Sequence, residues 1–140
     1  MNILEINQEN IYYLEDFIKK PLSNNFRYFQ KRDINCTKNH LVTLIGLINN
    51  EPIAYGHIDY SQEENKYWLG ICVLNDYQGK GYGKQIMQEL INKSETKKII
   101  ELYLSVDKNN NAIYLYKKFD FKIIDEKPNL YFMKKNLNLF

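Results

Sequence analysis

Gln78-Gly79-Lys80-Gly81-Tyr82-Gly83-Lys84 follows an apolar run ending in Ile71-Cys72-Val73 and precedes Ile86, Met87, Leu90 and Ile91 at helical spacing. The stretch is therefore a strand-to-helix turn with glycine at alternate positions. Glycine tolerates positive φ, so the backbone can bend tightly, and the missing side chains leave room for a ligand. Successive N–H groups of such a turn point into one concavity, and the first N–H groups of the following helix have no partner within it. The helix dipole, Lys80 and Lys84 add attraction for an anion. The stretch reads as a phosphate cradle. It is not a P-loop, which needs four residues before its Gly-Lys and then Ser or Thr; here three residues separate Gly79 from Gly83-Lys84, and Gln85 follows. Nor is it a dinucleotide fingerprint, because counting from Gly79 puts Lys84 where the last glycine belongs.

Outward from this turn, the chain divides into short elements. Tyr67 to Val73 is apolar nearly throughout, which predicts a strand in the sheet centre. Before it, His40 to Ile48 and Ile53 to Tyr60 read as strands joined through the turn Asn49-Asn50-Glu51-Pro52, so the three form an antiparallel meander. Ile3 to Ile6 reads as a first strand. Gln8 to Lys20 carries Ile11, Leu14, Phe17 and Ile18 at helical spacing and stops at Pro21. Leu22 to Asn39 is ambiguous between a short helix and a loop. After the glycine turn come a helix over Lys84 to Asn92, a strand over Ile99 to Val106 with Leu102, Leu104 and Val106 on one face, and a helix over Asn110 to Phe119. Two closing strands, Phe121 to Ile124 and Leu130 to Met133, flank the turn at Glu126 to Asn129. The order is β-α-(α)-β-β-β-α-β-α-β-β, a mixed α+β pattern without internal repeat, and residues 1–140 read as one domain.

Composition narrows the classes. Hydrophobic residues make up 44% and charged residues 26%, as in a globular protein. The net charge of +2 is too small, and its lysines too scattered, for a nucleic-acid-binding face. Cys36 and Cys72 form no CxxC and no His-Cys cluster, so no metal site is expected and two free thiols in a reducing compartment are. Met1 to Glu5 lacks a signal-peptide pattern, and no apolar run approaches the ~18 residues of a membrane helix. The expectation is a cytoplasmic protein.

Gln78-x-x-Gly81-x-Gly83 resembles the pyrophosphate-binding signature of GNAT acetyltransferases, Q/R-x-x-G-x-G/A. A second block, Asn109-Asn110-Asn111-Ala112-Ile113-Tyr114-Leu115-Tyr116 through Phe121, resembles the family's N-x-x-A-x-x-L-Y-x-x-x-G-F. It departs at Asp120, where Gly is usual; Asp can occupy a left-handed helix cap at some cost. The two blocks cover about residues 67–121. The resemblance implies the GNAT fold: a mostly antiparallel sheet of six to seven strands, splayed between strands 4 and 5, with about four helices.

The resemblance also implies an activity, direct transfer of an acetyl group from acetyl-CoA to a primary amine within a ternary complex. The pyrophosphate would sit on the amides of Gly79, Gly81, Tyr82, Gly83 and Lys84, with Lys80 adding positive charge and Gln78 at the head of the loop. The pantetheine would pair with main-chain groups of Ile71 and Val73 as an added strand does. Asn109 would reach the pantetheine or the phosphate end, Ala112 would belong to the same cofactor-binding set, and Cys72 would be a small buried neighbour. An N–H near Val73 would receive the developing oxyanion. Tyr116 takes the position of the general acid for the departing thiolate. The family's frequent Glu is missing from the fourth strand, so the candidates for the base are His57 and Asp59, on one face of the preceding strand, with a water chain as the alternative. Phe26, Arg27, Tyr28 and Arg32 fall where the family builds its acceptor site. Two arginines beside aromatics suit an anionic acceptor such as a nucleotide-linked amino sugar. A protein, peptide or polyamine acceptor, favoured by Asp59, Glu63 and Glu64, and a non-catalytic acyl-CoA-binding module are the alternatives. The expected partners are a small-molecule amine and, since closing strands in the family often pair, a second copy in a homodimer, with no nucleic acid and no membrane.

Overall fold

The computed structural model describes residues 1–20 and 40–137. Within them the chain runs β1 (Asn2–Glu5), α1 (Tyr12–Ile18), β2 (His40–Ile48), β3 (Glu51–Ser61), β4 (Lys66–Val73), α2 (Tyr82–Thr96), β5 (Glu101–Asp107), α3 (Ala112–Lys118), β6 (Lys122–Lys127) and β7 (Leu130–Asn136), with a short 3-10 turn at Asn75–Tyr77. The seven strands form one sheet in the order β1-β2-β3-β4-β5-β7-β6. Every neighbouring pair is antiparallel except β4 and β5. The architecture is the expected mixed α+β class, and the apolar β4 lies in the middle of the sheet. Three α-helices stand among the described residues where about four were expected. The optional helix in residues 22–39, together with Cys36, lies outside the described residues.

Alternation along the strands sends side chains to two cores. On one face Leu69 of β4 and Leu102, Leu104 and Val106 of β5 pack with Ile86, Met87 and Leu90 of α2 and Ile113 and Tyr116 of α3. On the other, Leu14 and Phe17 of α1 cover Ile45, Leu47, Tyr55 and Cys72. Phe17 stacks on Tyr55 with ring centroids 5.8 Å apart. Burying Leu14 and Phe17 is worth roughly 1.5–3 kcal/mol each, which lets a helix of only 7 residues hold its place. No helix of the described residues is long and apolar enough to cross a membrane.

Several boundaries differ from the periodicity, each for a local reason. The first helix begins at Tyr12 rather than Gln8, because Asn7 Oδ1 accepts the N–H groups of Glu9 and Asn10 while Asn10 Oδ1 accepts that of Asn7. Those side chains offer the backbone a turn in place of a helix. The β2–β3 hairpin turns on Asn49 and Asn50 alone, both at positive φ (50° and 64°), so Glu51 and Pro52 belong to the strand. Helix α2 continues past Asn92 because Ser94 lies on its buried face, its hydroxyl donating to Leu90 O at 2.8 Å. The closing strands are longer than their apolar runs, since pairing between β6 and β7 continues through charged positions at the sheet edge.

Candidate active site

Parallel β4 and β5 are paired only at Trp68 and Tyr103. Beyond that point, toward Val73 and Val106, they part. The hydrogen bond from Leu74 N–H to Ile53 O and the β3–β4 register show which groups face the opening. In an antiparallel pair, bonding alternates along each strand. Leu74, Cys72 and Gly70 therefore bond to β3, and the main-chain groups of Ile71 and Val73 point toward β5. The split leads into a cleft of about 1680 Å³ whose wall includes Ile71, Cys72, Val73, Gly81, Ala112 and Tyr116.

The glycine loop forms the mouth of this cleft. Gly79 and Gly81 have φ of 77° and 85°, conformations that a side chain disfavours, and a Cβ on either would meet nothing within 4 Å. Backbone conformation, not crowding, is what requires glycine there. Gly81 is the N-cap of α2 and no side chain caps the helix, so the first-turn N–H groups of Tyr82, Gly83 and Lys84 face the cleft mouth without a side-chain partner. Gln78 folds back: its Nε2 donates to Val73 O at 3.0 Å and lies 3.3 Å from Asn75 Oδ1. That staple holds the loop against the end of β4. Lys80 turns its ammonium over the Tyr77 ring, 5.7 Å from the centroid, and lies outside the cleft wall, whereas Lys84 lines it.

Tyr116 projects from α3 into the cleft. Burial pushes its hydroxyl well above the usual tyrosine range, and the neighbouring Cys72 adds to the shift, so it keeps its proton. Burial likewise raises the Cys72 thiol to about 12, which makes it inert as a nucleophile at neutral pH. The end of α3 fixes Tyr116. Asp120 sits at φ 67°, the N–H of Phe121 donates to Tyr116 O and that of Asp120 to Lys117 O, both at 3.1 Å. This is a Schellman ending, with Asp in the place usually given to Gly. The apolar contact that accompanies such endings is the edge-on packing of Phe121 and Tyr116, centroids 6.0 Å apart.

On the α1 face the cleft wall includes His40, His57 and Asp59. The register pairs Thr43 with His57, His57 with Gly70, and Asp59 with both His40 and Trp68. A Cβ at Gly70 would stand 2.4 Å from His57 Cε1, so the imidazole lies directly over the glycine. The Nδ1 of His57 bonds the Tyr55 hydroxyl at 2.7 Å. The His40 ring stacks on that of His57, 4.4 Å apart and 10° from parallel, with its own Nδ1 bonded to Thr43 Oγ1 at 2.8 Å. Burial lowers His40 to about 4. Ligating atoms of His40, His57 and Asp59 lie within 4.8 Å of one another. A metal bound through imidazole nitrogen lies in the plane of each ring, however, and two stacked parallel rings share no such point.

Of the residues singled out from the sequence, the fold brings Ile71, Cys72, Val73, Gln78, Gly79, Gly81, Tyr82, Gly83, Lys84, Ala112, Tyr116, His57 and Asp59 to one cleft. Asn109 is exposed and outside the wall; Asn110 and Asn111 line it, and Asn110 Oδ1 accepts the Ala112 N–H at 2.9 Å. Phe26, Arg27, Tyr28 and Arg32 lie outside the described residues. Sequence reasoning missed His40 and Gly70. The signal available for both was the β-meander register, which brings them to His57 across two strand pairs.

The sequence matches the acetyltransferase (GNAT) family over residues 6–121. It is 33% identical over 85 residues to a [ribosomal protein bS18]-alanine N-acetyltransferase of Haemophilus influenzae, covering 61% of this chain and 58% of that protein. It is 38% identical over 78 residues to a spermine/spermidine N(1)-acetyltransferase of Bacillus subtilis, covering 51% of each. The matched stretch thus spans little more than half of these relatives. Among solved structures, the GNAT domain of S. lividans PAT superposes with a TM-score of 0.81 at 14% identity, over 96% of this chain and 89% of that one. The yncA protein of Salmonella typhimurium, solved with its cofactor acetyl-CoA, superposes with a TM-score of 0.71 at 15% identity, over 99% of this chain and 94% of that one. These likenesses establish a shared fold.

Proposed function

The chain belongs to the acetyltransferase (GNAT) family, and from that premise we propose that it transfers an acetyl group from acetyl-CoA to a primary amine in a ternary complex. One observation carries the reading: the β4–β5 split, with Ile71 and Val73 main-chain groups facing it, opens between an amide-lined loop at its mouth and a protonated tyrosine in its wall. The loop N–H groups of Tyr82, Gly83 and Lys84 suit a diphosphate. The exposed edge of β4 suits an extended amide-bearing arm that adds as a strand.

The chemistry then balances with this chain's own groups. The acceptor ammonium gives a proton to His57 or Asp59. The free amine attacks the acetyl carbon, forming the C–N bond, while the Val73 N–H stabilises the charge on oxygen. The C–S bond breaks, the thiolate takes the Tyr116 proton, and the proton left on nitrogen restores Tyr116. The proton first removed passes to water. No acyl-enzyme is needed, which agrees with an inert Cys72.

The acceptor divides two readings. Arg27 and Arg32 support an amine carried on an anionic group such as a nucleotide-linked sugar. Asp59, Glu63 and Glu64 in the cleft wall favour a cationic amine, a polyamine or a basic peptide. A panel of amino-sugar nucleotides, polyamines and N-terminal peptides, assayed for CoA release, tests both. Release with one class and not the others selects the acceptor. Saturable acetyl-CoA binding without release for any amine would leave an acyl-CoA-binding module, and no binding at millimolar acetyl-CoA would end the proposal.

A further inference from the structure

Neither family-like sequence block contains the pair of stacked imidazoles on the α1 face. His57 comes from β3 and His40 from the start of β2, and their rings lie 4.4 Å apart, nearly parallel. Each is anchored at Nδ1 by a hydroxyl, Tyr55 for His57 and Thr43 for His40. Gly70 supplies the floor, because any side chain there would strike the His57 ring. Among the described residues, the ionisable groups on the His57 side of the sheet include His40 of β2, Tyr55 and Asp59 of its own strand, and Cys72 of β4; α1 contributes Leu14 and Phe17 to this side.

We propose that His40 is a positioning residue for proton removal: by stacking on His57 it holds that imidazole over Gly70, where the ring accepts the proton of the acceptor ammonium. The proposal rests on the acetyl-transfer reading and names which of its candidate bases acts and what orients it. Two features separate the roles of the rings. His40 stays uncharged at neutral pH because burial penalises its cation, so it stacks without competing for the proton or repelling the imidazolium that forms. His57 is the ring that crosses onto β4, beside the strand edge where the thioester would lie. The Tyr55 and Thr43 bonds set ring tilt, as supporting hydrogen bonds do for a catalytic imidazole.

The test compares His40→Ala with His40→Phe in the full-length protein. Removing the stack in His40→Ala is expected to lower kcat by about 10²-fold, the scale of a misplaced catalytic group, with the Kd for acetyl-CoA unchanged. His40→Phe keeps a flat ring on His57 and is expected to restore kcat to within a factor of about three, with the acid limb of kcat/KM retained. Side-chain ¹⁵N spectra of His57 give a readout independent of turnover: one fixed tautomer in the native protein and in His40→Phe, averaging in His40→Ala. Unchanged kcat and an unchanged His57 spectrum in His40→Ala would overturn the proposal. So would loss of the acid limb in His40→Phe, since His40 would then be the ionising group. If the native protein turns over no amine while the spectra follow the expected pattern, the acetyl-transfer reading fails and the positioning of His57 by His40 stands.

Discussion

The two ends of the β4–β5 split are built in opposite ways. The mouth is backbone: Gln78 to Lys84 are contiguous, Gly79 and Gly81 take φ near 80°, and no side chain caps α2, which leaves the first-turn N–H groups of Tyr82, Gly83 and Lys84 for the cleft. The α1 face is side chains: His40, His57, Asp59 and the floor at Gly70 come from three strands and meet only through their register. A site made of consecutive amides is insensitive to most side-chain changes and sensitive to φ. A site made of rings across strands is the reverse.

The largest effect should come between these ends, at Tyr116. Tyr116→Phe is expected to lower kcat by roughly 10²–10⁴-fold while leaving acetyl-CoA affinity in place, read by steady-state kinetics and calorimetry. Equal loss of affinity would make Tyr116 part of the mouth instead.

Next is the ionic cost stored on the α1 face. His40 titrates near 4 in the fold and near 6.5 when unfolded, so the unfolded chain binds the extra proton between those values. Stability is therefore full above pH 6.5 and falls as pH drops to 4, by on the order of 3 kcal/mol. Denaturant melts at pH 7 and pH 4 should show a smaller difference in His40→Phe than in the native protein.

Two glycine variants test the contrast directly. Gly70→Ala forces a Cβ within 2.4 Å of His57 Cε1 and should reduce kcat by roughly 30-fold with normal acetyl-CoA binding. Gly81→Val places a β-branched residue at φ 85° and should weaken acetyl-CoA binding by roughly 10-fold, leaving the His57 spectrum unchanged. If each variant disturbed both ends, the two would form one coupled site.

The smallest effect is a gain. Asp120→Gly relieves a left-handed Asp at the end of α3 and should add about 1 kcal/mol, a rise of a few degrees in Tm by calorimetry. No gain would mean that Asp120 makes a compensating contact.

How far each part was legible follows from how local it is. The glycine turn and the meander could be read because periodicity and turn chemistry act within a few residues, whereas Tyr116 was singled out only through the family-like block that contains it. The starts and ends of α1, α2 and the β6–β7 pair were not, because Asn7, Asn10, Ser94 and the charged edge positions owe their roles to hydrogen bonds and burial that periodicity does not encode. Asn109 illustrates the same limit inside a motif. Its neighbours Asn110 and Asn111 face the cleft because the turn into α3 rotates the chain there.

Contiguous residues alone settled that a strand runs into an amide-rich turn and a helix, since φ preference and helix-end N–H groups are properties of the chain itself. The opening between β4 and β5, the orientation of Ile71 and Val73 toward it, and the stacking of His40 on His57 were settled only on folding. Each depends on which residues lie opposite one another across strands, and that register is the outcome of packing two cores at once.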